Sequence, residues 1–232
     1  MARKKNSRLR LRLIGVALLV LLAGSGWAWW HLSGWTPERA EFPVQGVEVG
    51  GEDGPVDWAA LKAVGADFAY LDASASAFAR DANFVANLEG AKATGLQWGA
   101  VHRYDPCQPA DKQAANFVTV VPRDAAMLPA AVWLDQLADD CPIKVSDAAV
   151  ESELTTFLNQ IETHTGKAAI LKVSRSFERR YQIAARVDRN VWLEQLRFQP
   201  DYAGRPWALW TANDRLSVPA LAGGVRWVVV QP

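Results

Sequence analysis

Five carboxylates fall at or just beyond the carboxyl ends of predicted strands: Glu48, Asp72, Asp105, Asp135 and Glu194. His102 stands close to the third of them. Paired carboxylates suit glycoside hydrolysis, in which one is held protonated to donate to the leaving oxygen. The plain alternative is a set of solvated or helix-capping acids, because strands end at the surface. Other chemistries find no pattern. His31, His102 and His164 are scattered, and the sequence holds no H-E-x-x-H, C-x-x-C or G-x-S-x-G. No metal, cofactor or serine-hydrolase triad is therefore expected. Trp58, Trp133, Trp192, Trp207, Trp210 and Trp227 include candidate sugar-stacking platforms, although several alternate along strands as core residues do. Trp133 and Trp210, with His102, are the candidate substrate contacts.

Such residues need a scaffold that gathers strand ends. Strand-like runs occur at residues 44–49, 68–71, 97–101, 131–134 and 168–173. Amphipathic stretches alternate with them. Asp57 is placed to cap a helix through Val64, and residues 83–94, 112–121, 148–165 and 176–185 carry helical spacing. The rhythm then changes, and strands at 191–193, 207–210 and 225–230 follow without convincing helices between them. Strand–helix alternation implies a parallel sheet. About eight strands in one domain predict a single (β/α) barrel that lacks its last helices. Function in such a barrel sits at the carboxyl ends of the strands. An open doubly wound sheet is the second choice, since Gly50-Gly51-Glu52-Asp53-Gly54 does not make a dinucleotide fingerprint.

The charge balance is zero overall, with 25 basic and 25 acidic residues among 232, but it is uneven. Arg3, Lys4, Lys5, Arg8, Arg10 and Arg12 precede Leu13, so the rest of the chain is acidic and no nucleic-acid partner is expected. With His31 counted neutral, no charged residue occurs from Leu13 to Pro37. This pattern predicts a basic cytoplasmic tail (1–12), a transmembrane anchor (13–36), a linker (37–43) and a barrel domain (44–232). The basic block would stay in the cytoplasm, and Trp27, Trp29, Trp30 and Trp35 would form an aromatic belt. The chain would thus be a single-pass inner-membrane protein with its barrel in the periplasm. A cleaved signal peptide is the rival, with a poor site at Gly26-Trp27-Ala28. Either places the barrel where disulfides persist. Cys107 and Cys141 follow neighbouring strands and are expected to bridge.

The order of motifs resembles glycoside hydrolase family 25, the muramidase family with a (β/α)5(β)3 barrel. Gly46-Val47-Glu48-Val49-Gly50 stands where the family has G-x-D-V-S, and Val56-Asp57-Trp58 matches I-D-W. Residues 68–76 stand where the family has F-x-Y-x-K-A-T-E-G. Asp81, Phe84, Asn87, Ala91, Gly95 and Leu96 follow the family's next helix. Gly99-Ala100-Val101-His102-Arg103 is similar to G-A-Y-H-F, and Gln113-Ala114 with Phe117 to Q-A-x-x-F. Leu134-Asp135-Gln136-Leu137 resembles L-D-x-E, and residues 207–210 resemble W-x-L-W.

The resemblance implies a protein that acts on or binds peptidoglycan glycan strands, at the muramic acid–glucosamine linkage. Asp135 and Glu48 are then the catalytic candidates. Several departures bear on activity. The Glu of L-D-x-E, the family's proposed general acid, is Leu137; the Lys and Glu of K-A-T-E-G are Asp72 and Ala75; the final-strand Asp falls near Arg226. Asp72 and Glu194 are possible substitutes for the missing acid. A leucine cannot donate a proton, so hydrolysis is expected to be weak or lost. The alternative is a non-catalytic barrel that binds an envelope glycan or protein.

Overall fold

Apolar residues spaced two apart on successive short strands force those strands to share one buried face, and here the sheet closes on itself to do so. The computed structural model describes residues 3–232, with side chains described from residue 13 onward except 28–32. It divides into two units, Met1–Trp35 and Thr36–Pro232.

The second unit begins with strand β1 (Gln45–Val49), helix α2 (Trp58–Ala63), strand β2 (Phe68–Ala75) and the short strand β3 (Ala79–Arg80). Helix α3 (Phe84–Ala93), strand β4 (Gln97–Arg103), helix α4 (Ala110–Val120) and strand β5 (Ala131–Leu134) follow. Next come α5 (Asp147–Thr165), β6 (Ile170–Val173), α6 (Arg175–Tyr181), α7 (Ile183–Arg186), β7 (Val191–Glu194), β8 (Leu209–Leu216) and β9 (Val225–Val230). The sheet order is β1-β9-β8-β7-β6-β5-β4-β2-β3, and a further β1–β2 pairing closes it. Leaving β3 aside, neighbours from β1 through β8 are parallel, while β9 runs antiparallel to both β8 and β1. This is the predicted α/β barrel, and among the described residues no helix is found between its last three strands. The appended hairpin strand β3, absent from the sequence reading, pairs antiparallel with the end of β2. A register shift between Asp72 and Ser74 marks an irregularity in β2 just before it.

Local chemistry sets the element ends. Asp57 caps α2, its Oδ1 accepting from the Ala60 N–H at 2.9 Å. Ser146 caps α5 in the same way, and Gly166 ends that helix in the left-handed region at φ 72°. The helix expected over 176–185 is two helices, because Gln182 adopts a left-handed conformation between them.

Side chains alternate across each strand, so one set points into the barrel and the other toward the helices. Phe68, Tyr70, Val101, Ala131, Ile170, Trp192, Leu209 and Val228 form the interior cluster. Gly46 and Gly99 make room for it. A Cβ on Gly46 would lie 2.4 Å from the Phe68 carbonyl oxygen, and one on Gly99 would lie 2.4 Å from the Tyr70 ring.

The first unit holds helix α1 (Arg3–Ser33). Among the described residues no helix is long and apolar enough to cross a membrane. The transmembrane expectation over 13–36 therefore finds no support within the described residues. The side chains of the basic block, and of Trp29 and Trp30 in the expected aromatic belt, lie outside the described residues.

Candidate functional site

The period of two that builds the core also sorts the polar residues. Continuing each inward row toward the strand's carboxyl end gives Glu48 after Gly46, Asp72 after Tyr70, and Arg103 after Val101. Trp133 follows Ala131, Lys172 follows Ile170, and Glu194 follows Trp192. Arg226 lies opposite Glu48 in the antiparallel pairing of β9 with β1. The apolar layer below and this charged layer above are successive tiers of one barrel interior.

Two cations organise the tier. Lys172 is fully buried, and its Nζ donates to both oxygens of Glu48 at 2.7 Å. It also pairs with Glu194 at 3.0 Å. Its ammonium lies over the Trp133 and Trp192 rings, 4.1 and 5.0 Å from their centroids. Burial opposes the ammonium charge, but Glu48 and Glu194 together outweigh it and hold the Lys172 pKa above its ordinary value. Arg226 is the second hub, 3.4 Å from Glu48, 2.8 Å from Glu52, 3.3 Å from Asp53 and 3.1 Å from Asp72. Burial disfavours its charge as well, yet the surrounding carboxylates raise its pKa.

Asp72 stands apart among the carboxylates. Burial, and then the neighbouring Glu48 charge, push its pKa up to about 7 against the opposing pull of Arg226. Its Oδ1 is buried and makes no hydrogen bond. Gly50 permits this seat, because a Cβ there would lie 2.2 Å from Asp72 Oδ2.

Asp135 is engaged separately. Both of its oxygens accept from Arg103, through Nε at 3.1 Å and through Nη2. The guanidinium of Arg103 stacks on Trp133 at 4.6 Å. Beside these residues opens a pocket of about 240 Å³, walled by Asp72, Ser74, Arg80, Asp81, Arg103 and Trp133 among others.

The sequence-predicted site residues thus divide. Glu48, Asp72 and Glu194 are gathered by the two cations, Asp135 sits on Arg103, and Trp133 walls the pocket. His102 and Trp210 belong to the other row of their strands and lie outside the pocket. His102 is fully buried, with Nδ1 2.8 Å from the Ser74 hydroxyl and Nε2 3.4 Å from Gln113 Oε1. Its ring packs against Phe117 and Phe157 of the helical layer. Burial lowers its pKa to about 4. Trp210 is buried against Phe42 and Trp207, and its indole N–H donates to the Gln195 carbonyl at 2.6 Å.

Lys172 went unremarked in the sequence, although a signal was present. A lysine in the run Ile170-Leu171-Lys172-Val173 shares the inward row of Ile170, where a charge requires a partner. Leu137 is half-buried and leads into a short 3-10 turn, Ala138–Asp140. That segment is held by Tyr181, whose hydroxyl accepts from the Ala138 N–H at 2.8 Å, and by the Cys107–Cys141 disulfide. Among the described residues no group of three or more His, Cys, Asp or Glu side chains is arranged to hold a metal ion.

Residues 47–220 match the family model described as Glycosyl hydrolases family 25. The uncharacterized protein YegX of Escherichia coli K12 is 24% identical over 213 residues, covering 86% of this chain and 76% of that protein. Among solved structures, a family 25 glycosyl hydrolase from Bacillus anthracis superposes with a TM-score of 0.77 at 23% identity, over 86% of this chain and 93% of that one. The bacterial lysozyme from Streptomyces coelicolor gives 0.71 at 21% identity, over 82% and 92%. These likenesses show a shared fold.

Proposed function

The chain belongs to glycosyl hydrolase family 25, and from that premise we propose that its barrel binds peptidoglycan glycan strands at the charged tier, with hydrolysis weak or lost. The observation that carries the reading is the engagement of the acids. Glu48 is fully buried and gives both oxygens to Lys172. Asp135 gives both of its oxygens to Arg103. Leu137, where the family resemblance puts the proton donor, has no proton to give. General acid catalysis contributes roughly 100- to 10,000-fold, so its loss predicts activity far below that of an intact muramidase. The muramic acid–glucosamine linkage remains the bond expected to lie across the site. The disulfide supports a working compartment outside the cytoplasm.

A second reading keeps turnover, and Asp72 favours it. A carboxyl with a pKa of about 7 beside the pocket could supply the proton that Leu137 cannot.

The test is incubation of the full chain with isolated peptidoglycan, followed by sedimentation and by analysis of released muropeptides and reducing ends. Co-sedimentation with little release is expected. Failure to sediment would refute the binding role. Robust release that disappears in Asp135→Asn or Asp72→Asn would replace the reading with an active, rewired glycosidase.

A further inference from the structure

The pocket contains a cation whose charge no partner uses. Of its two arginines, Arg103 is engaged on Asp135. Arg80, on β3, makes a different contact. Its Nε donates to Asn116 Oδ1 at 3.0 Å, and among the described residues no carboxylate lies within ion-pair distance of it. The terminal nitrogens of its guanidinium carry no intramolecular hydrogen bond there.

Asn116 holds this arginine in place. It projects from α4, is nearly fully buried, and uses its Nδ2 on the β2–β3 hairpin. That nitrogen lies 3.4 Å from the Ala75 carbonyl, 3.2 Å from that of Ser76 and 2.9 Å from that of Ala79. Ser76, at φ 51°, donates its hydroxyl to Asp105 at 2.7 Å and anchors the same turn. A buried amide spanning three carbonyls leaves its oxygen as a fixed acceptor. The Nε side of Arg80 is consumed in positioning, and the Nη edge is left for a ligand.

We infer that Arg80, positioned by Asn116, is a specificity residue that recognises a carboxylate borne directly on a sugar of the bound glycan. The inference rests on the glycan-binding reading above. A guanidinium fork is matched to planar carboxylates, and pre-positioning reduces the entropy lost on binding. The acids of the pocket wall do not cancel it. Asp81 accepts from the Gly51 and Asn83 backbone N–H groups at 2.5 and 2.7 Å, and Asp72 and Glu52 are both held by Arg226. A volume of about 240 Å³ is small for a peptide but adequate for a sugar substituent, with Trp133 as its apolar wall.

The chemistry gives the site a place in a reaction sequence. The muramic acid carboxyl is free only where the stem peptide has been removed, so amide hydrolysis must supply the preferred ligand.

The experiment measures binding of the full chain to three soluble glycan-strand preparations: peptide-bearing, peptide-free, and peptide-free with the carboxyls reduced to alcohols. The wild type is expected to prefer peptide-free strands over reduced ones by about ten-fold, as a lost charge-assisted hydrogen bond implies. Arg80→Gln should erase that preference, and Asn116→Ala should diminish it. Circular dichroism and melting check that each variant is folded. Equal binding of peptide-free and reduced strands by the wild type would overturn the inference and leave the glycan-binding reading standing. So would an unchanged preference in Arg80→Gln, or tighter binding of peptide-bearing strands. Binding to none of the three would overturn both.

Discussion

Replacing Lys172 with methionine isolates the central ion pair of the barrel. The lysine and Glu48 are both fully buried, and the ammonium meets both carboxylate oxygens at 2.7 Å. Methionine keeps much of the volume and removes the charge. Glu48 would then retain only Arg226, at 3.4 Å and already shared with Glu52, Asp53 and Asp72. Glu194 is less affected, since its side chain is 31% exposed and water can solvate it. Breaking a buried pair from one side typically costs about 3–5 kcal/mol, because the remaining charge is uncompensated. For a unit the size of Thr36–Pro232, each kcal/mol moves the melting temperature by roughly 2–4 °C. A fall of about 6–20 °C is therefore expected, measured by circular dichroism or calorimetry. The double variant Glu48→Gln/Lys172→Met removes both charges and should recover most of the loss. A single variant as stable as the wild type would refute the reasoning, and so would a double variant no better than the single one.

Two further outcomes follow from the same structure. Cys107 and Cys141 should react with a thiol probe only after reduction, and reduction should destabilise the protein by roughly 3–4 kcal/mol on the chain-entropy model; labelling of the native protein would contradict the bridge. Asp72→Asn should be more stable than the wild type at pH 8, with the gain fading toward pH 4. The Asp72 pKa is raised from 3.8 to about 7 on folding, so its native environment favours the protonated form, and stability drains away as pH rises between those values. His102 works in the opposite sense, because its folded pKa of about 4 makes stability fall as pH drops from about 6.5 toward 4. The comparison of Asp72→Asn with wild type by denaturant titration cancels that second contribution, and a difference independent of pH would disprove the assignment.

The barrel was legible because its cause is local. Short apolar runs separated by capped helices leave little choice of sheet, and the loss of helices after residue 186 is visible as a loss of helical spacing. The hairpin Ala79–Arg80 was not legible, since two exposed residues carry no periodic signal and their pairing depends on Asn116 of a later helix. The candidate site was legible at the level of which acids reach the strand ends, and less so at the level of what holds them. His102 illustrates the limit. It stands beside Val101 and Arg103 in the chain, but the pleat sends it to the opposite face, where Phe117 and Phe157 cover it. Parity also separates Trp133, which faces the pocket, from Trp210, which does not. Lys172 is the case that connects fold to function. The same alternation that makes Ile170 a core residue drives a lysine into the barrel interior, and Glu48 is the acid that meets it. Glu48 thereby becomes half of a buried ion pair with Lys172, while Asp72 lines the pocket and Asp135 rests on Arg103.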